Sequence, residues 1–169
     1  MILRHRGFTL IEHCVTLAIV AILAANAAPS FSSLIERQRL RAAVQEMTLA
    51  LARARAEALT GGRRVAIAAR GTDWRSGWQV FRDDNDNGRL DGGEPVMAEA
   101  VPPHPAVTIV ASFGSSGSTP VLSYDANGFA RRPGGHGLLM GRMVFTAGTV
   151  SQTLCFGATR VRLADGAGC

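Results

Sequence analysis

The chain contains no lysine; its 18 basic residues are all arginine. P-loop NTPases and Schiff-base enzymes both need a lysine amine, so both classes are excluded. Cysteine is sparse, at three residues with no Cys-x-x-Cys pair, which excludes a zinc finger or a thioredoxin-like site. Aromatic residues make up only 6%, and no aromatic run interleaves with the C-terminal arginines, so base stacking and sequence readout by those arginines are not expected. Charged residues are also few, at 18%, against 47% apolar residues, a balance incompatible with a disordered chain. There are no internal repeats, and 169 residues predict a single folded domain.

What is present is unevenly placed. Phe8 to Ala28 is an apolar run whose only polar side chains are Thr9, Glu12, His13, Thr16 and Asn26. Its length matches the roughly 20 residues that cross a bilayer as a helix. Arg4, His5 and Arg6 precede it with no acid among them, which places the N-terminus on the cytoplasmic side. A cleavable signal ending in the small residues Ala24 to Ala28 is the alternative reading. Glu12 is the anomaly, because a carboxylate in an apolar span costs about 1–3 kcal/mol and calls for a partner.

Arg6-Gly7-Phe8-Thr9-Leu10-Ile11-Glu12 resembles the leader and processing site of type IV prepilins and type II secretion pseudopilins. The resemblance implies cleavage by a prepilin peptidase after Gly7, N-methylation of the new terminus at Phe8, and a role for Glu12 in filament assembly. In that role the carboxylate neutralises the terminal amine of a neighbouring subunit, and two opposite charges cancel each other's desolvation in a low dielectric. Ala28-Pro29-Ser30-Phe31 is similar to the family's helix kink, whereas His13 and Cys14 replace the usual aliphatic pair after the glutamate.

Beyond Pro29 the helical pattern resumes. Leu40, Val44, Met47, Leu51 and Ala58 form one apolar stripe, most of the arginines from Arg37 to Arg55 lie off it, and Gly61-Gly62 ends it. A helix from Phe8 to Thr60 is therefore expected, with a sheet covering its second half. Val65–Ala69, Trp78–Arg82, Val96–Val101, Val107–Phe113, Val121–Tyr124, Met143–Thr146, Val150–Phe156 and Thr159–Leu163 read as strands punctuated by turn residues. The plan is α+β: a long N-terminal helix, half transmembrane and half amphipathic, on an antiparallel sheet. Ala54-Arg55-Ala56-Glu57-Ala58, Gly77-Trp78-Gln79-Val80-Phe81, the acidic stretch from Asp83 to Glu94 and Phe145-Thr146-Ala147-Gly148 resemble the GspH/FimT branch of the pilin-like families. The expected organisation is a cytoplasmic leader at 1–7, a transmembrane helix at 8–28 and a periplasmic pilin-like domain at 29–169. Such a chain is a single-pass inner-membrane protein, and a filament subunit once assembled. The expected partners are other pilins or pseudopilins, met through the N-terminal helix, the prepilin peptidase and the inner membrane.

Few residues offer chemistry. Asp83, Asn85, Asn87, Gly88, Asp91 and Glu94 fit the EF-hand calcium-loop spacing, but β-prone runs flank them where an EF-hand has helices. Asn-Gly and Asp-Gly within the stretch are equally hairpin signals, so a structural hairpin and a weak calcium site both stand. His5, His13, His104 and His136 belong to the leader, the apolar run and Pro/Gly loops, and Gly114 to Ser118 lacks the spacing of a nucleophile elbow. A non-catalytic chain without cofactor is expected. Cys155 and Cys169 fall outside the cytoplasm on this topology and are candidates for a disulfide, with free thiols as the alternative.

Charge is asymmetric. Residues 29–64 carry seven Arg against three Glu, 65–99 four Arg against seven acids, and 129–169 five Arg against one Asp. In the FimT group a C-terminal Gly-Arg-x-Arg motif is associated with DNA binding in natural transformation. Thr159-Arg160-Val161-Arg162 is similar to it, with Thr159 in place of the glycine. Strand alternation would put Arg160 and Arg162 on one face, roughly 6.5–7 Å apart, with Arg142, Arg131 and Arg132 as candidate extensions of a patch for non-sequence-specific DNA. The expected function is thus a non-catalytic minor pilin or pseudopilin of a type II secretion system or type IV pilus, the alternative being a minor pilin that captures DNA.

Overall fold

The computed structural model describes residues 9–113, 121–135, 137–157 and 159–169, without the side chains of 24–30. The chain divides into two compact units, Met1–Ile35 and Glu36–Cys169. Helix α1 spans Leu10–Gly61 and is helical through position 29, so Pro29 does not end it. At its start the Thr9 hydroxyl accepts the Glu12 backbone N–H at 3.4 Å. Thr-x-x-Glu is the capping-box spacing, so the same string that resembles a processing site also starts the helix. At its far end Gly62 takes a left-handed φ of 61°, the conformation that terminates helices.

The large apolar side chains described in the first unit are exposed, among them Leu10, Ile11, Val15, Leu17, Ile19, Val20, Ile22 and Leu23. Among the described residues no helix is long and apolar enough to cross a membrane. The expected span at 8–28 includes Phe8 and side chains from Ala24 onward that lie outside the described set.

The second unit carries the core. The stripe Leu40, Val44, Met47, Leu51 and Ala58 is buried, joined by Ala43 and Ala54. It packs into one cluster with residues from two sheets. The strands are β1 (Val65–Ala69), β2 (Trp78–Arg82), β3 (Val96–Glu99), β4 (Val107–Phe113), β5 (Val121–Tyr124), β6 (Ala130–Arg131), β7 (Gly141–Ala147), β8 (Val150–Phe156) and β9 (Val161–Asp165). A single antiparallel sheet was the expectation; the structure has a five-stranded sheet ordered β3-β2-β1-β5-β6 and a four-stranded sheet ordered β4-β7-β8-β9, every pairing antiparallel. The division arises because β5 returns to pair with β1 while its predecessor β4 pairs with β7. Hydrophobic pattern marks strands but carries no pairing information for such non-local partners.

Individual strands follow their patterns. β4 alternates buried and exposed residues throughout, the mark of a strand with one wet face. β1 reads Val-Ala-Ile-Ala-Ala and is covered on both faces: Ile67 joins the main core, while Ala66, Ala68 and Phe81 form a second cluster with Leu90 and Val121. Gly77 precedes β2 with φ 83°, and a Cβ there would sit 2.6 Å from the Ala100 carbonyl oxygen, so the Gly-Trp pair allows the close approach that buries Trp78. Gly148, in the turn between β7 and β8, has φ 55° and would collide with the Glu36 carboxylate if it carried a side chain. β6 and the 3₁₀ turn at Trp74–Ser76 have no counterpart in the sequence reading; both are too short for a periodic signal.

Candidate assembly and binding surfaces

The residues singled out in the sequence fall into separate places. Gly7 and Phe8 lie outside the described residues, as do His5, His136 and the loop at 114–118. Glu12 is in the first turn of α1 and exposed, beside the outward-facing apolar residues of that unit. His13 is in α1, and His104 accepts the Ala106 N–H through Nδ1 at 3.1 Å.

The acidic stretch between β2 and β3 is folded on its own hydrogen bonds. Buried Asp83 accepts N–H groups from Asn87 at 3.1 Å and Gly88 at 2.9 Å. Asp91 accepts the side-chain amides of Asn85 at 2.8 Å and Asn87 at 2.6 Å. Glu94 accepts the N–H of Asp84 at 2.9 Å and of Asp91 at 3.0 Å. Asp86 and Gly88 take left-handed φ values of 59° and 70°, which turn the chain tightly. The oxygens that fit a calcium-loop spacing are thus engaged within the loop, and no metal-holding group of His, Cys, Asp and Glu occurs among the described residues. Burial pushes the Asp83 carboxyl above its ordinary value, opposed by the Gly88 and Asn87 N–H groups. Side-chain amide donation from Asn85 and Asn87 holds Asp91 below its own. Arginines after α1 hold the loop from outside: Arg63 pairs with Asp84 at 3.2 Å and Arg64 with Asp86, while Arg82 of β2 reaches Asp84 at 3.0 Å.

The candidate arginines divide between the two sheets. Register places Arg142 of β7 opposite Cys155 of β8, and Cys155 opposite Arg162 of β9. Directly opposed residues share a face, so the three form one row on the outer side of the four-stranded sheet, the arginine backbones roughly 10 Å apart at two strand spacings. β9 begins at Val161, two residues later than expected. Arg160 therefore precedes the strand, in a turn where its carbonyl accepts the Gly157 N–H at 3.0 Å. Val161 packs against the core, and Arg160 and Arg162 are exposed without an ion pair among the described residues. Arg131 belongs to the other sheet, where its Nε donates to Asp125 at 2.8 Å and its guanidinium lies 5.7 Å from the Phe129 ring centre. Burial acts to raise Asp125, but donation from Arg131 and from the Phe129 and Asn127 N–H groups outweighs it and holds the carboxyl below its ordinary value. Arg132 follows β6 and lines a cavity with Arg89, Pro133 and Leu139.

Cys155 and Cys169 are joined by a disulfide, their Cα atoms 5.8 Å apart. The bond draws the C-terminal tail over the outer face, where the Thr153 hydroxyl donates to the Gly166 carbonyl at 2.6 Å and both Thr153 and Cys155 are buried. Cys14 is free.

A long helix whose second half is buried under antiparallel sheets fits one family model: that of the type II transport protein GspH matches residues 43–164. The chain belongs to the GspH family. It is accordingly a minor pilin or pseudopilin. The family match takes in the packed part of α1 and both sheets; the apolar N-terminal segment and Cys169 lie outside it. Among solved structures the chain is similar to the type IV minor pilin FimU of Pseudomonas aeruginosa (strain PAO1) in two crystal forms. In one the identity is 23% over 76% of this chain and 90% of that chain, with a TM-score of 0.47. In the other it is 21% over 73% and 91%, with a TM-score of 0.45. No curated protein matches the chain.

The sequence reading missed two features of this GspH-family domain. The Arg63 and Arg64 clamp on the acidic loop joins residues 21 and 22 positions apart, for which local sequence pattern carries no signal. The second is an apolar groove beside β9, foreshadowed by Leu49, Ala52, Ala56 and Leu59 recurring at helical spacing on a second face of α1.

Proposed function

We propose that the chain is a non-catalytic minor pseudopilin, made as a single-pass inner-membrane precursor, cut after Gly7, methylated at Phe8 and drawn through its N-terminal helix into a periplasmic filament of a type II secretion system. The observation that carries this reading is the contrast within α1. Leu10 to Leu23 presents apolar side chains that are exposed, while Leu40 to Ala58 is buried in the domain's own core. An apolar helix without an internal partner gains stability by entering a bilayer and then a bundle of like helices. In such a bundle Glu12 can meet the terminal amine of a neighbour. Gly7→Ala is expected to leave the precursor uncut, seen as slower gel mobility, and Glu12→Ala to lower filament assembly while leaving cleavage intact. Unchanged processing of the Gly7 variant contradicts the leader assignment. A deletion strain that loses protein export but keeps DNA uptake supports the secretion assignment; the reverse points to a pilus.

A second reading, capture of DNA, is favoured by the exposed row of Arg142 and Arg162 with Arg160 beside it. Forked guanidiniums suit phosphate oxygens, and without aromatic neighbours binding would be sequence-independent and steeply salt-dependent. A gel shift at low salt with residues 29–169 tests it. The reading predicts a shift that Arg160→Ala/Arg162→Ala abolishes; equal shifts, or none, contradict it.

A further inference from the structure

Between the packed half of α1 and the last strand runs a groove of about 870 Å³. Leu49, Ala52, Ala56 and Leu59 form one wall and Val161 and Leu163 the other. Leu49 is 70% exposed, Leu163 55% and Leu59 51%, so three leucines face solvent in one trough. Tyr124 of β5 and Leu154 of β8 also line it, and among the described residues no carboxylate contributes and Arg55 is the one charged lining residue. Among the described residues β9 is the end strand of its sheet and one edge of its backbone is unpaired. Free strand edge and apolar trough therefore lie side by side.

We propose that this edge takes up an extended polypeptide segment of a partner protein by strand addition, and that the segment alternates apolar and acidic side chains. The alternation follows from the register. Val161 and Leu163 pair with Phe156 and Leu154 on the inner face, while Arg162 pairs with Cys155 on the outer face. A strand laid along β9 puts every second side chain into the trough over Leu49 and Leu59. The side chains between them come out beside Arg162. Apolar groups are recognised on the first face and carboxylates on the second, with Arg160 and Arg55 extending the positive rim. Backbone bonds to β9 supply sequence-independent affinity, and the two faces supply selectivity. The proposal does not depend on the leader or on the bundling of N-terminal helices.

The test uses the full chain in lipid nanodiscs and a fluorescein-labelled peptide of alternating valine and glutamate, long enough to span β9, with a valine–lysine peptide for comparison. Anisotropy is expected to show the glutamate peptide binding at least tenfold tighter than the lysine peptide. Arg162→Glu is expected to reverse that preference, and Leu163→Asp to abolish binding of both peptides. Both positions are exposed, and far-UV circular dichroism of each variant checks that the fold is retained. No binding, equal binding of the two peptides, or an Arg162→Glu variant with unchanged preference overturns the proposal. So does self-association that competes away the peptide, which assigns the groove to a second copy of the chain.

Discussion

The two parts of α1 have the same backbone and opposite surroundings. From Leu10 to Leu23 the described apolar side chains are exposed, whereas from Leu40 to Ala58 seven residues are buried against two sheets. Helix propensity alone does not explain the contrast, because the first stretch is helical although it is rich in β-branched Ile and Val, whereas the second is rich in alanine. What separates them is where the partner surface is found. The second stretch finds it later in its own chain, so its apolar residues keep to a stripe with arginines off it. The first finds no such surface among the described residues of its own unit, and its apolar residues run all round. A one-sided stripe marks a helix completed by its own domain, and an all-round apolar helix marks one completed by lipid or by other molecules.

The sharpest way to break this contrast is to truncate one leucine on each side of it. Leu51→Ala removes a buried side chain and is expected to cost about 2–5 kcal/mol in urea denaturation. Leu17→Ala removes an exposed one and should leave the unfolding midpoint unchanged while lowering recovery of filaments. Equal effects on stability would erase the distinction.

The next effect concerns the far end of the chain. The bond between Cys155 and Cys169 closes a loop with a sequence separation of 14. Loop entropy gives it about 3 kcal/mol. Cys169→Ser is expected to lower stability by that order without reductant, and to make stability insensitive to added reductant.

Two pH effects sharpen the account within the second unit. Asp125 has its carboxyl held below the ordinary value, so its contribution is present above the unfolded-state value near 4. That contribution is lost as pH falls through the lower folded-state value. Asp125→Asn should cost about 1 kcal/mol at neutral pH and nothing in strong acid, read by denaturation at several pH values. Tyr124 is the one tyrosine in the chain, so ultraviolet titration reads it without ambiguity. Burial pushes its hydroxyl up to about 12, so stability should fall as pH rises from the ordinary value near 10 toward that figure. Titration near 10 would mean that water reaches the Tyr124 hydroxyl.

Legibility in the sequence followed the range of the interaction. The amphipathic stripe, its Gly61-Gly62 stop and most strands were readable because side-chain periodicity is local. Five strands, among them Val65–Ala69 and Val150–Phe156, have the bounds that their residues suggested. The split into two sheets was not readable, because it depends on whether β5 seeks β1 or β4 across tens of residues. The start of β9 was misplaced by two residues, since the turn between Gly157 and Arg160 holds the arginine out of the ladder. Of the candidate arginines, the sequence identified Arg142 and Arg162 but not the row they make across Cys155, which only register reveals. The groove beside β9 was hidden for the same reason, its lining coming from α1, β5, β8 and β9.

The central proposal is that the chain is cut after Gly7, ahead of α1, for assembly with other subunits. Intact-mass spectrometry of the chain purified from membranes tests it most directly. The account predicts a mature chain that begins at Phe8 and carries one methyl group on its terminal amine. A chain that begins near Ala27 or Ala28, or that retains Met1 through Gly7 in cells with an active prepilin peptidase, would contradict it.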